Sequence, residues 1–240
     1  MNTATGEFRV MTSGAFTAAY KTLLPQIEKL TGRTVITVTT SIGTGETSIP
    51  NRLKRGEVAD IVIVAEPAIR QFIADGYVLA DGAAVLARSG IGMAVRAGAP
   101  KPDISTTDGL RNTLLQAKSI GYSASESGKY LTTELVQRLG IAGQVLPKSR
   151  LVGGGERVGA VVARGELEIG FQQISELLPV PGIDHITPLP PELQKISSFM
   201  VGIGANSTDR AAARTVIAFL ASPAAAAAIA NSGLDPFVHR

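Results

Sequence analysis

The sequence predicts an α/β protein built as two lobes. Strand-like runs of β-branched residues alternate with helical patterns, the alternation restarts after a long strand near the middle, and a late apolar segment leads back to the first set. At 240 residues the chain is long enough for one large domain or two modest ones, each with a core. The predicted division gives 1–83 and 198–240 to lobe 1 and 84–197 to lobe 2, with two crossings of the chain.

Each element has its own signal. "FRVMTS" reads as the first strand, and the pattern from Ala15 to Leu30 as a helix, bent at Pro25 because proline removes an N–H from the ladder. "TVITVTTS" is a β-branched second strand and "ETSIPNRLKRGE" a short helix. "ADIVIVAE" is a buried strand, and "PAIRQFIADG" a helix closed by Gly76. After "GYVLADGAAVLARSG" the register changes; "GIGMAVRAG" leaves the first unit, and Pro100 and Pro102 mark a turn. The second unit then reads as a helix near Gly109 to Ala117, the strand "SIGYS", a helix from Gly128 to Leu139, the strand "SRLVG", the helix "ERVGAVVARG" and the strand "EIGFQQ". "ITPLPPELQKISSFMVGIGA" returns the chain to the first unit. The end reads as two helices broken at Ser222–Pro223, whose alanine run needs only its helix propensity to explain it.

Composition narrows the chemistry. Hydrophobic residues are 45% and charged residues 18%, a globular balance. Aromatics are only 5% with no Trp, which argues against a base-stacking surface for nucleic acid. A net charge of +3 without a basic run suits a small anion better than a polyanion. The absence of cysteine removes disulfides, thiolate metal sites and cysteine nucleophiles. His185 and His239 are too few for a His-based zinc site, and His185, in a Pro-rich segment, reads as structural. Neither metal nor cofactor is expected. No apolar run approaches membrane-spanning length. The start, "MNTATGEFRV", lacks the regions of a signal peptide, as expected of a mature periplasmic chain or of a cytoplasmic one.

Four strand-to-helix junctions are built alike, namely "MTSGAFTAAY", "SIGTGETSIP", "YSASESGKY" and "LVGGGERVGA". Each sets small residues ahead of a helix whose free N–H groups and positive dipole end attract anions. Any one of them alone reads as an ordinary N-cap. Four in one chain, two from each lobe, point to an anion held by both. In the first, Ser13 and Gly14 are the candidate donors, while Thr12 caps. The second offers Thr44, Gly45 and Thr47 around Glu46, which is either a solvent-facing turn residue or a general base whose burial would raise its pKa. The third supplies Ser125, Ser127, Lys129 and Tyr130; Lys129 either pairs with a ligand carboxylate or points to solvent, and Tyr130 is a second candidate for proton transfer. The fourth brings Gly155 and Arg157, a bidentate carboxylate clamp or a surface arginine. Gln172 and Gln173 end their strand as neutral donors. The glycine spacing of "VGGGERVG" is not that of a dinucleotide fingerprint, no G-K-[ST] follows for a P-loop, and no G-x-S-x-G elbow supports a hydrolase triad.

The segments "SGAFTAAYKTLLPQIEKLTG", "RLKRGEVADIVIVAE", "SGIGMAVRAGAPKPDIS" and "VARGELEIGFQQISELLPVPGI" resemble the molybdate-binding-protein-like branch of periplasmic solute receptors, in consistent order from about Phe8 to Leu234. The resemblance implies the type II periplasmic-binding-protein fold: two α/β lobes, a hinge of two crossing strands, and the ligand in between. It also implies a small-anion site of neutral donors, with Ser13 matching the serine after the first strand and Thr47 or Ser48 the hydroxyls of the second loop. Glu46, Lys129 and Arg157 depart from that pattern. A carboxylate beside a dianion costs on the order of several kcal/mol unless protonated or paired, and a charged clamp suits carboxylates better than an oxyanion.

The wider family includes organic-acid receptors and an aconitate isomerase. Two expectations follow. One is a cofactor-free isomerase converting trans- to cis-aconitate by a 1,3-proton shift, with Ser13, Lys129 and Arg157 gripping carboxylates and Glu46 or Tyr130 moving the proton. The other is a non-catalytic receptor delivering molybdate or another small anion to a membrane permease. Only the second needs a permease as partner.

Overall fold

The computed structural model describes residues 6–40, 42–153 and 155–237, apart from the side chain of His185. The chain runs β1 (Glu7–Thr12), a 3-10 turn (Gly14–Phe16), α1 (Thr17–Thr31), β2 (Thr34–Thr39), α2 (Ile49–Lys54), β3 (Ile61–Ala65), α3 (Glu66–Ala74), β4 (Ala84–Ser89) and β5 (Ile91–Arg96). It continues with α4 (Thr107–Gln116), β6 (Ile120–Ser123), α5 (Glu126–Tyr130), α6 (Val136–Arg138), α7 (Ala142–Val145), β7 (Ser149–Val152), α8 (Val158–Ala163), β8 (Ile169–Gln173), α9 (Ile174–Leu177) and β9 (Ile183–Pro188). It closes with β10 (Ser197–Ile203), α10 (Arg210–Leu220), α11 (Pro223–Asn231) and β11 (Asp235–Pro236). Two compact units result, Met1–Arg88 with Ser197–Arg240, and Ser89–Ile196.

The first unit is a six-stranded sheet in the order β11-β4-β10-β3-β1-β2. β1 runs parallel to both β2 and β3, and β10 is antiparallel to β3. β3 is apolar throughout because both its faces are covered. Ile61, Ile63 and Ala65 join Phe8, Val10 and the apolar sides of α1, α10 and α11, while Val62 and Val64 meet Met11, Ile49, Leu53, Ile69 and Phe72 on the other face. α1 continues through Pro25 and ends on Gly32, whose φ of +63° is the left-handed helix stop that glycine adopts without strain.

A buried carboxylate ties this sheet to the connection after β10. Asp60, fully buried, accepts from the Arg9 N–H at 2.8 Å, the Ser207 hydroxyl at 2.7 Å and the Thr208 N–H at 3.1 Å. Asp60→Ala leaves three donors without their acceptor and is expected to lower unfolding free energy by about 2 kcal/mol in urea denaturation.

The second unit is a five-stranded sheet in the order β7-β6-β8-β5-β9, with β6 parallel to β7 and β8, and β5 antiparallel to β8 and β9. Ile91, Met93, Ile169 and Phe171 pack with Leu110, Leu114, Leu131 and Leu135 to form its larger core. Val158, Val161 and Val162 of α8 cover the opposite face with Val152 and Leu167. The helix expected from Gly128 begins at Glu126, and between α5 and α6 its winding widens to a π-type segment over Leu131–Leu135. Thr132 and Thr133 give the local cause: their hydroxyls donate back to the carbonyls of Gly128 and Lys129, in competition with the backbone ladder.

Candidate functional site

Strand direction sorts the loops before any side chain is considered. In the first unit β1, β2 and β3 are parallel, so the segments after them leave from the same edge of the sheet. In the second unit the same holds for β6, β7 and β8. All four junctions singled out in the sequence fall on these carboxyl-terminal edges, two per unit. Open α/β sheets bind ligands at such edges, where the first turns of the following helices present unpaired N–H groups.

On the first unit, Ser13 lies just past β1, fixed by its N–H donating to the Ile63 carbonyl at 3.0 Å. Its own carbonyl accepts from the hydroxyls of Thr12 and Thr17, while its side chain makes no capping bond to the helical turn that starts at Gly14. Thr12 therefore spends its hydroxyl on the chain and Ser13 does not. The loop after β2 is held through its carbonyls: Asn51 donates to Thr44 and Gly45, Arg52 to Thr47, Arg55 to Glu46 and the Thr40 hydroxyl to Thr47. Thr44, Gly45, Glu46 and Thr47 are not buried. Of the two readings of Glu46, the described structure shows the solvent-facing one. Ser48 is fully buried at the start of α2, with its Oγ unpartnered among the described residues, whereas Thr44 and Thr47 are exposed.

On the second unit, three hydroxyls form a chain after β6. Ser123 Oγ lies 2.7 Å from Ser125 Oγ, which lies 3.1 Å from Ser127 Oγ, and Ser127 is fully buried. Lys129 is exposed and paired with Glu126 at 3.0 Å. Tyr130 is reassigned. Its ring is buried, and its hydroxyl donates to the Leu193 carbonyl at 2.7 Å and accepts from Arg138 at 3.0 Å, so it braces the core of its own unit.

After β7, Gly155 takes a φ of +85° and turns the chain into α8, with Arg157 half-buried at the helix cap. Among the described residues no carboxylate lies within 4.0 Å of the Arg157 guanidinium. β8 ends in Gln172 and Gln173, both buried, and leads directly into Ser175 and Glu176 on α9, also buried. Gln172 Nε2 donates to Glu176 Oε2, while Gln172 Oε1 and Ser175 Oγ are buried without partners among the described residues. Burial pushes the Glu176 carboxyl up to about 7, against the opposing pull of the Arg157 charge and the Gln172 amide. Sequence reasoning does not single out Glu176. Its signal is nonetheless present as two polar residues four apart, Gln172 and Glu176, inside the apolar run "EIGFQQISELL".

The structural role expected for His185 concerns a side chain outside the described residues, and His239 lies outside them as well.

Compared with known proteins, the chain matches the family of the bacterial extracellular solute-binding protein over residues 8–235. The chain belongs to this family. Its fold is that of the type II periplasmic-binding proteins, with two α/β lobes, and its family is one of extracytoplasmic solute-binding proteins. This solute-binding protein is 42% identical over 228 residues to an aconitate isomerase from a Pseudomonas species, covering 95% of this chain and 87% of that one. Among solved structures, it is similar in fold to the periplasmic molybdate-binding protein of Azotobacter vinelandii (TM-score 0.74, 17% identity, 95% of this chain and 98% of that one). It is likewise similar to the sulfate-binding protein SubI of Mycobacterium tuberculosis H37Rv (TM-score 0.73, 19% identity, 96% and 86%).

Proposed function

We propose that this solute-binding protein is a cofactor-free isomerase that interconverts trans- and cis-aconitate. The observation that carries the reading is the 42% identity to an aconitate isomerase, sustained over 95% of the chain. The geometry supports it with donors of the right kind. Ser13, Thr44, Thr47 and Ser48 on the first unit, and Ser125, Ser127, Arg157 and Gln173 on the second, stand on carboxyl-terminal edges, with Gly14, Gly45 and Gly155 leaving the backbone approachable there. Hydroxyls and amides solvate carboxylates without fixing a net charge, and the Arg157 fork adds one bidentate partner.

In this reading Glu46 is the base. It removes a proton from the methylene carbon; the electron pair spreads through the double bond into the adjacent carboxylate, and the proton returns at the former vinylic carbon. The double bond shifts by one position and the geometry about it is reset, with no oxidant, metal or covalent intermediate in the balance. Donors aimed at the carboxylate that receives the charge stabilise the transition state.

The test is turnover. Purified protein with trans-aconitate in deuterated water is expected to produce cis-aconitate by NMR with deuterium entering carbon, and Glu46→Gln is expected to lower kcat at least about 100-fold, the usual scale for losing a general base. Unchanged trans-aconitate after hours with wild-type protein sinks the reading. A receptor for a small oxyanion is the second reading, favoured by the family description and by the largely neutral donor set. Tight molybdate binding without turnover supports it, and only then is a membrane permease implied.

A further inference from the structure

The three hydroxyls after β6 carry three protons, and the contacts among them use only two. Ser123 Oγ lies 2.7 Å from Ser125 Oγ, and Ser125 Oγ lies 3.1 Å from Ser127 Oγ. Each contact takes one proton, so one hydroxyl of the three keeps a proton to give. Ser127 decides the first step. It is fully buried, and among the described residues its hydroxyl meets only that of Ser125. Were Ser125 the donor across this contact, the Ser127 proton would be buried without an acceptor, which costs the desolvation of a polar group. Ser127 therefore donates to Ser125. Ser125, polarised by that bond, is the stronger donor of the next pair, and its contact with Ser123 is the shorter of the two. The chain runs from Ser127 through Ser125 to Ser123, and the uncommitted proton lies on Ser123.

Ser123 is placed to use it. It is the last residue of β6, on the carboxyl-terminal edge of the second sheet, and is half-buried. Its backbone is fixed on two sides. It stands opposite Val152 of β7, and its carbonyl oxygen is so close to Gly128 that a Cβ there would lie 1.7 Å away. Ser125 makes no capping bond to α5, so its hydroxyl stays in the chain. The charged side chains of this corner, Glu126 and Lys129, are paired with each other at 3.0 Å.

We propose that Ser123 is the ligand-binding hydroxyl of this corner, giving its free proton to an oxygen of a bound anion, and that Ser127 is a positioning residue that sets the direction of the chain through Ser125. This rests on the reading of the edge as an anion site, and it holds for a polycarboxylate and an oxyanion alike. The direction is set before the anion arrives, so neither Ser125 nor Ser127 has to turn on binding, and the bond from Ser125 strengthens the Ser123 donor.

The probes are tricarballylate, a saturated tricarboxylate that cannot undergo the proton shift, and molybdate, each titrated by calorimetry. Ser123→Ala is expected to raise the Kd of the anion that binds about ten-fold or more, the scale of one hydrogen bond to a charged group. Ser127→Ala is expected to raise it only about three-fold, and to have no further effect in the Ser123→Ala background, because its influence passes through that hydroxyl. Neutron diffraction from crystals of the ligand-free protein in deuterated water reads the direction itself, with deuterium expected between Ser127 and Ser125 on the Ser127 oxygen and between Ser125 and Ser123 on the Ser125 oxygen. Deuterium on Ser123 directed at Ser125, a Kd that Ser123→Ala leaves unchanged, or additive effects of the two substitutions overturns the proposal even if the protein isomerises aconitate. Binding of molybdate alone, weakened by Ser123→Ala, removes the aconitate reading and supports the role of Ser123. Binding of neither anion overturns both.

Discussion

Gly128→Ala is expected to destabilise the second unit by about 4 kcal/mol or more, at the extreme of single-substitution effects. A Cβ at this position would stand 1.7 Å from the Ser123 carbonyl oxygen and 2.8 Å from its carbon. Both are backbone atoms of β6, which is hydrogen-bonded to β7 and β8 on its two sides, so the strand has no room to yield. α5 has to move away instead, and Leu131 and Leu135 leave the core with it. The hydroxyl chain Ser123–Ser125–Ser127 spans the same corner and is broken in the process. Gly143→Ala is the control: it is also helical, and nothing lies within 4 Å of its Cβ position. Alanine there is expected to be neutral or stabilising by up to about 1 kcal/mol. Urea denaturation of the two variants side by side checks the contrast, and equal midpoints would refute the close-approach account of Gly128.

The fold is legible because both periodicities are strong in this chain. "ADIVIVAE" can only be a strand covered on both faces, and Gly32 and Gly76 stop helices where left-handed φ values of +63° and +76° are needed. What is not legible shows why patterns stop short. β4 and β9 read as a change of register and as part of a return: turn residues bracket both, at Gly82 and Gly90 and at Gly182 and Pro188, but the strands they pair with are distant in sequence. β11 is two residues long and exists only through its pairing with β4, which no local signal records. The widened turn at Leu131–Leu135 depends on two threonines competing with the ladder, and their sequence alone reads as ordinary helix.

The candidate site divides along the same line. Strand-end positions such as Ser13, Ser125 and Arg157 follow from local punctuation, since a small residue between a strand and a helix is visible in the sequence. Burial is a property of the assembled unit. The glycine and threonine neighbours of Glu46 admit a buried acid, yet α2 holds that loop by its carbonyls and leaves the side chain exposed. Tyr130 follows a lysine at a helix start, but Leu193 and Arg138, the first of them distant in sequence, decide that its hydroxyl is occupied. Glu176 is hidden for the converse reason: only the packing of α9 against β5, β8, β9 and α8 encloses it.

That enclosure has a consequence for stability that does not depend on any ligand. The protein is expected to become less stable by about 3 kcal/mol as pH rises from 4.5 to 7, in the part of its pH profile owed to Glu176. Unfolded, the carboxyl releases its proton around its ordinary 4.5; folded, it keeps the proton to about 7. Between these limits the native state binds more protons than the unfolded state, so unfolding free energy falls with rising pH, and above 7 the two states bind equally and the loss stays constant. The sign is opposite to that of a carboxylate stabilised by a partner, such as Glu166 beside Arg164 and Arg150, whose exposed ion pairs weaken only as pH drops below the usual carboxylate range. Those surface contributions are common to the wild type and a Glu176→Gln variant and cancel in the difference. Gln keeps the shape and one acceptor for the Gln172 amide, so the variant is expected to be less stable than the wild type at pH 5 or level with it, and to gain on it by about 3 kcal/mol at pH 8. Urea denaturation of both proteins across that range measures the difference directly. A difference that does not change with pH means that Glu176 ionises as freely in the folded protein as in the unfolded chain, and its burial beside Gln172 then has no electrostatic consequence.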